Sequence, residues 1–555
     1  MEKLLGPVLY IAAPFFYWNA GRAFFLLGGL RDRQGDSLYG LLGVLVFAMA
    51  GQVLYYLGAP AGAFSVGLGA MACAFSLSRA VTPKEKEALL FWLLAFAIAG
   101  LGQALVPYPG LGKWSGDWNF HFQLSRHLVA GTVADELVAR PPLFAAAFIP
   151  LLWLSNGLLS YQTGNALITA ASALAVFYAA RKFRISLTPR LFLLTLFTTP
   201  FFLLHDTYPW PKFLSGACLL VAMVAMARQL RRPRLGLAAS IGAWTALSIN
   251  AHHSAVLCLP LLFFSFRRGL WKRQKHLFVS ALVLVGVGAC FVLPYELWTL
   301  NEFGWKRRFL ENAGVSWRYG NPYADFPRIL FTTFVTRGPL EVAGFIAEQF
   351  DAKSLLQWAA LAFFCLSTWV TAMAGTFGGL FLPWVLNSQW RVFFGFTRSV
   401  FRSFPFLALC AGLTVLFHTL AFPHDTLVGT TQAGLVPLCF LCFLLLYAFL
   451  ARVKDPKIES RIVVCSLGLG TLPFVLSQFP AAVLIGLPAS LIGAGPGAIL
   501  RSQDEDAKIY FGSQLVSWGE GLFLWGLLFT AVFLVAAVAL RSAPNKVDLR
   551  KSHVQ

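Results

Sequence analysis

Apolar runs of roughly 17–25 residues recur from one end of this chain to the other, each long enough to cross the hydrocarbon core of a bilayer. Of the 555 residues, 58% are hydrophobic and only 12% charged, where a soluble chain carries about 25% charged residues. The expected fold is an all-α polytopic membrane protein forming a single integral domain over residues 1–555, with no separate soluble part.

The formal charge of +20 does not point to nucleic acid, because of where the charge lies. Basic residues cluster in short hydrophilic gaps. These are Arg181, Lys182 and Arg184; Arg228, Arg231, Arg232 and Arg234; Arg267, Arg268, Lys272, Arg273 and Lys275; Arg452, Lys454, Lys457 and Arg461; and a tail with Arg541, Lys546, Arg550 and Lys551. That is the positive-inside pattern of cytoplasmic loops. The nine cysteines lie in or beside apolar spans without zinc-ligand spacing and read as small core hydrophobes. The first apolar run has no small-residue cleavage site behind it and is expected to stay as a helix.

Spans are expected at about 4–28, 38–58, 61–80 and 88–106, then 163–180, 190–204, 210–227, 235–250, 252–266 and 277–295. Later ones fall at about 355–386, 404–421, 433–451, 462–482 and 516–540, for roughly 14–16 helices in all, with a half-helix expected at 478–497. With the basic gaps inside, the stretch 107–142 is a first outer loop, and 297–353 a second. The acidic run Asp504–Glu505–Asp506 is also placed outside. The segment 143–160 is expected to enter the membrane without crossing, since Pro141, Pro142 and Pro150 disfavour a regular helix there. On this topology His121, His127, His205, His252, His253 and His424 collect on the outer face, with His418 near it. Any chemistry is expected at that boundary.

The first outer loop holds the densest set of reactive side chains. Read as a helix from Asp117 to Val129, it puts Asp117 and His121 four residues apart on the face shared with Leu124 and Leu128. A partly desolvated carboxylate is a better proton acceptor; the structural alternative is that Asp117 caps the helix. Asp135 and Glu136 are adjacent carboxylates able to hold a divalent metal or to orient an acceptor, or simply form a solvated turn. Arg140 precedes Pro141–Pro142 at headgroup depth, where it can meet a phosphate or anchor the interface. The second outer gap gathers His205, Asp206 and Lys212 around Tyr208 and Trp210. An aromatic belt with a snorkelling lysine would look the same. His252 and His253 at an outer helix end can bind a phosphate or serve as a cap, and Trp114 and Trp118 can stack on a sugar or anchor the loop.

Gly116–Asp117–Trp118 with His121, the run Arg140–Pro141–Pro142–Leu143, the run Ala179–Ala180–Arg181–Lys182–Phe183, and Asp206 ahead of Tyr208–Pro209–Trp210–Pro211–Lys212 together resemble the GT-C superfamily of membrane glycosyltransferases. The likeness is to the bacterial branch similar to protein mannosyltransferases and aminoarabinose transferases, and covers about residues 88–300. Three more helices precede the first loop than that pattern has, and the loop carries no D-x-D metal motif. The resemblance implies a multi-pass protein of the bacterial inner membrane that takes a sugar from a polyprenyl-phosphate donor. Transfer to a lipid, glycan or protein acceptor would occur on the outer face, with inversion. It assigns Asp117 as base, Asp206 as second acid, and His121, Arg140, Lys212, His253 and Trp118 to substrate, with residues 354–555 as further transmembrane helices. Phosphate leaves without a general acid, so one base and electrostatic stabilisation suffice.

Two other classes fit parts of the pattern. A transporter or flippase should show ionisable residues or broken helices near the midplane, whereas here polar groups gather at one face. An O-antigen ligase or polymerase would lean on Arg and His in a late outer loop, and 297–353 is basic enough to keep that open.

Overall fold

The computed structural model describes residues 2–28, 38–105, 115–138, 140–183, 185, 193, 196, 202, 205–206, 209–231, 233–259 and 274–311, with isolated positions 395, 398, 444 and 448. Among these residues all regular structure is helical. The long helices are α1 (Glu2–Leu27), α2 (Tyr39–Tyr56), α3 (Ala61–Leu77), α4 (Pro83–Leu105), α5 (Ser115–Ala130), α8 (Leu158–Lys182), α9 (Pro211–Arg231), α10 (Leu235–Ala251) and α11 (Gln274–Trp305). Two short ones, α6 (Leu143–Ala146) and α7 (Ile149–Leu154), lie between α5 and α8. Among the described residues four apolar stretches are long enough to cross a membrane: Tyr39–Tyr56, Leu159–Lys182, Pro211–Gln229 and Phe278–Arg308. The chain is thus compatible with an integral membrane protein. The expected span at 190–204 and everything expected beyond 311 lie outside the described residues, apart from the isolated positions.

Helix α8 is the post of the bundle. It is buried along nearly its whole length although it carries Gln162, Thr163, Asn165, Thr169 and Ser172. Helices α4 and α9 pack on it, α10 packs on α9, and α11 on α10. On the other flank α1 lies against α2 and α3. The core between them is aromatic: Tyr10, Tyr17, Trp18, Phe47, Phe91, Trp92, Phe96 and Tyr161 are all closed off from solvent. The polar ends of two of these rings reach backbone carbonyls. Trp92 Nε1 donates to the Pro14 carbonyl at 2.8 Å, and Tyr17 Oη to that of Ala147 at 2.7 Å. Helices α1 and α2 approach so closely that a methyl group on Gly21 or Gly43 would run into the backbone of the other helix, at Tyr39 and Tyr17 respectively.

The end of the bundle that holds the 79–87 gap is pinned by a buried ion pair. Thr82 caps α4, its hydroxyl accepting from the Glu85 N–H at 3.2 Å while Glu85 Oε2 accepts from the Thr82 N–H at 2.7 Å, with Pro83 at the first helical position. Arg22 of α1 donates to the same carboxylate at 2.9 Å and to the carbonyls of Ser76 and Ala80. Nearby, Arg181 at the end of α8 meets Glu87 at 2.9 Å. The chain therefore rises through α4 and returns through α8 to the end it left. Helices α6 and α7, of four and six residues, are too short to cross between.

Several boundaries differ from expectation, that of α8 among them, which begins at Leu158 and not at 163. Helix α4 begins at Pro83, not 88, because the capping box extends it into polar sequence. The span expected at 252–266 opens instead with His252 in extended backbone (φ −157°, ψ 125°) and a 3-10 turn over His253–Cys258. The second outer loop does not begin at 297. Helix α11 runs on to Trp305, breaks at Gly304 (φ 78°), and turns back through a π-helical turn, Lys306–Glu311. A positive φ of that kind is open to glycine at little cost.

Candidate functional site

The end of the bundle opposite the Arg22–Glu85 pair holds the basic candidates Arg140, Lys212, His121 and His253. Helix α5 supplies the first. It ends on Gly131 at φ 69°, where the Thr132 N–H reaches the His127 carbonyl at 3.0 Å and the Gly131 N–H that of Leu128 at 3.4 Å, a Schellman cap. The expected inward face holds: His121, Leu124 and Leu128 are buried, joined by Phe122 and Ser125, while His127 is exposed. Beyond a 3-10 turn (Asp135–Val138), Arg140 comes back over this helix. Its Nη1 lies 3.3 Å from His121 Nε2 and its Cζ 4.1 Å from the centre of the Phe120 ring. An arginine can only donate, so the neutral imidazole accepts at Nε2 and carries its proton on Nδ1.

A paired hydroxyl lock sets the second group. Ser215 Oγ donates to the Ser248 carbonyl at 2.8 Å, and Ser248 Oγ to that of Ser215 at 2.7 Å, fixing α9 against α10. These helices are antiparallel neighbours. Lys212, one turn before Ser215, and His252, one turn after Ser248, are thus brought to the same end. The stem of Lys212 is buried and its Nζ stands 3.9 Å from the Trp210 ring centre. Burial, then the influence of Lys212, His253, His121 and Arg140, holds the His252 imidazole well below the usual histidine range. Four of the residues singled out in the sequence therefore act on one ring.

The third group comes from the turn after Gly304. It carries Arg308 back to Glu296, with Nε to Oε2 at 3.1 Å and Nη2 to Oε1 at 2.9 Å. Arg308 also donates to the Val138 carbonyl at 2.7 Å and approaches His253 Nε2 at 3.4 Å. Tyr295 Oη donates to the Leu137 carbonyl at 2.8 Å. The segment between α5 and α6 is thus tied to the end of α11 at two consecutive carbonyls. Sequence reasoning counted Arg308 among the charges of a loop and gave it no role. The signal it missed is the glycine before Trp305–Lys306–Arg307–Arg308, which turns the chain back on itself.

The acids divide. Asp206 is fully buried, its Oδ1 3.4 Å from Gln103 Nε2 and its backbone carbonyl held by Gln103 and Asn165. Burial raises its carboxyl well above the ordinary range, against the pull of Gln103 and Thr169, so the protonated form is favoured. Its side-chain partners come from α4 and α8. Its neighbour His205 stacks on Phe213 at 4.6 Å and tilts toward Trp210 at 6.2 Å, the ring under Lys212. Asp135 is exposed and paired with Arg307 at 3.1 Å. Asp117 is the third residue of α5, inside the first turn rather than ahead of it, so it is not the cap itself. The side chains of Asp117, Trp118 and Glu136, and the whole of Trp114, lie outside the described residues. Among the described residues no three His, Cys, Asp or Glu side chains come together as a metal site.

Comparison of the chain with models of known families, with curated proteins and with solved structures returns no match.

Proposed function

We propose that this protein is a membrane glycosyltransferase of GT-C type, with roughly 14–16 transmembrane helices. On this reading it transfers a sugar, with inversion, from a polyprenyl-phosphate donor to an acceptor on the outer face of the bacterial inner membrane. The observation that carries the reading is the convergence of Arg140, Lys212 and the imidazoles of His121, His252 and His253 at one end of the bundle. Such a cluster suits a leaving phosphate, whose developing charge needs fixed donors in a low-dielectric site and no general acid. The base on this reading is Asp117, in the first turn of α5 and four residues before His121. Asp206, buried beside Gln103 with its carboxyl raised by burial, acts as a second acid that orients rather than accepts.

The test is incubation of the purified protein with radiolabelled polyprenyl-phosphate sugars and an envelope acceptor, following label from lipid to acceptor. Arg140→Ala and Lys212→Ala should each weaken donor binding about tenfold or more, the worth of a charge-assisted hydrogen bond. Wild-type donor affinity in both variants would move the phosphate elsewhere. Arg308 favours one second reading, an O-antigen ligase or polymerase, because it brings a late outer segment into the cluster. Label transferred as an intact lipid-linked polymer, and not as single sugars, would select it.

A further inference from the structure

Three elements enclose the Asp206 carboxyl. Gln103 comes from the last turn of α4, Asn165 and Thr169 from α8, and Asp206 from the segment ahead of α9, and all four residues are buried. Two amides build the enclosure. Asn165 Nδ2 donates to the His205 carbonyl at 3.2 Å, and Gln103 Nε2 to that of Asp206 at 3.0 Å. Gln103 spends its nitrogen there, which fixes the orientation of the amide and leaves Oε1 as an acceptor only. Thr169 stands one turn on from Asn165 and acts on the same carboxyl. Thr163 and Ser172, on the same helix, turn their hydroxyls onto the carbonyls four residues back at 2.7 and 2.9 Å; Thr169 does not. Among the described residues Gln103 Oε1, Thr169 Oγ and Asp206 Oδ2 are enclosed without a hydrogen-bond partner. The other carboxyl oxygen, Asp206 Oδ1, has the 3.4 Å contact with Gln103.

These oxygens are short of positive charge. The Thr169 hydroxyl has one hydrogen to give, and the amide and carboxylate oxygens only accept. Among the described residues no basic side chain pairs with Asp206. A buried carboxylate is tolerated when its charge is matched. A proton on Oδ2 matches it and serves one further oxygen; a cation meets all of them together. Oxygen donors suit hard cations. One carboxylate balances a single positive charge, whereas a divalent ion leaves a net charge buried at considerable cost. We infer that Asp206, Gln103 and Thr169 form a binding site for a monovalent alkali cation. The bound ion ties α4 and α8 to the segment that leads into Trp210 and Lys212. The site needs no sugar donor and stands whether or not the protein transfers sugar.

The experiment is thermal unfolding of the purified full-length protein in nanodiscs, in sodium chloride, potassium chloride and N-methylglucamine chloride at matched ionic strength. Sodium or potassium should raise the melting midpoint over N-methylglucamine, which is too large to enter, and the rise should saturate with concentration. Asp206→Asn keeps the shape and removes the charge, and should abolish the difference between the salts. Thr169→Val, of nearly equal size, should raise the half-saturating concentration about tenfold. Equal midpoints in all three salts overturn the site and leave a bridging water or a proton among these oxygens. A cation effect that survives Asp206→Asn places the ion elsewhere and overturns it too. Stabilisation by calcium at a lower concentration than either alkali ion, lost in Asp206→Asn, overturns the single charge. The comparison of salts on the wild-type protein decides even where a variant fails to fold.

Discussion

Asp117 and His252 are the two residues whose roles can be separated from the packing around them. Asp117 sits in the first turn of α5, where a carboxylate is favoured by the helix dipole whether or not it does chemistry. Asp117→Asn removes the proton acceptor and keeps the shape. It is expected to fold normally, bind donor as wild type does, and turn over roughly 10²–10⁴-fold more slowly; side-by-side turnover and donor affinity check this, and near-normal turnover would leave Asp117 structural. His252 gives a pH signature. Its folded pKa is depressed below 6.5, so as pH falls through that value the unfolded chain takes up a proton that the folded one refuses, and stability is lost on the acid side. Melting temperature followed from pH 7.5 to 5 (a range around the ordinary value of about 6.5) should fall less steeply in His252→Gln than in wild type. At this scale the sequence was partly legible. His121 and the inward face of α5 follow from helical spacing. The weight on His252 rather than His253, and the use of Arg308, depend on chain reversals at residues 252 and 304 that periodicity does not encode.

The elements carry their own evidence. Helices α2, α3 and α10 end within about three residues of where their apolar runs end, because run length against bilayer thickness is a strong constraint. Polar extensions were harder to read. The capping box that begins α4 five residues early and the amphipathic continuation of α11 to Trp305 are held by specific hydrogen bonds, not by hydrophobicity. Arg22 shows how such a bond becomes structural: it joins α1 to the α3–α4 turn and to the cap of α4 at once, fully enclosed. Arg22→Met leaves Glu85 uncompensated and is expected to cost about 3–5 kcal/mol, read as a drop in thermal or denaturant midpoint. The double variant Arg22→Met/Glu85→Gln should recover part of that loss. If the single variant melts as wild type does, the pair is not what secures α4.

For the molecule as a whole, the two ends of the bundle differ in kind. One holds the Arg22–Glu85 and Arg181–Glu87 pairs; the other holds the Arg308–Glu296 and Arg307–Asp135 pairs and, with them, Arg140, Lys212 and the imidazoles of His121, His252 and His253. The positive-inside rule puts the first end in the cytoplasm. Single cysteines in 131–134 should then react with a membrane-impermeant thiol reagent applied from outside, and cysteines in 267–275 should not; labelling of the latter would invert the topology. The arrangement was legible as sidedness but not as a site, because what closes it is long-range. Tyr295 and Arg308 hold Leu137 and Val138 across more than 150 residues of chain. That distance has a consequence for biogenesis. A ribosome delivers α1 to α8 to the membrane well before α11 exists, so the first outer loop must wait, unfastened, while its neighbours are already inserted. Until Arg308 emerges, the Val138 carbonyl lacks the donor that holds it in the folded chain.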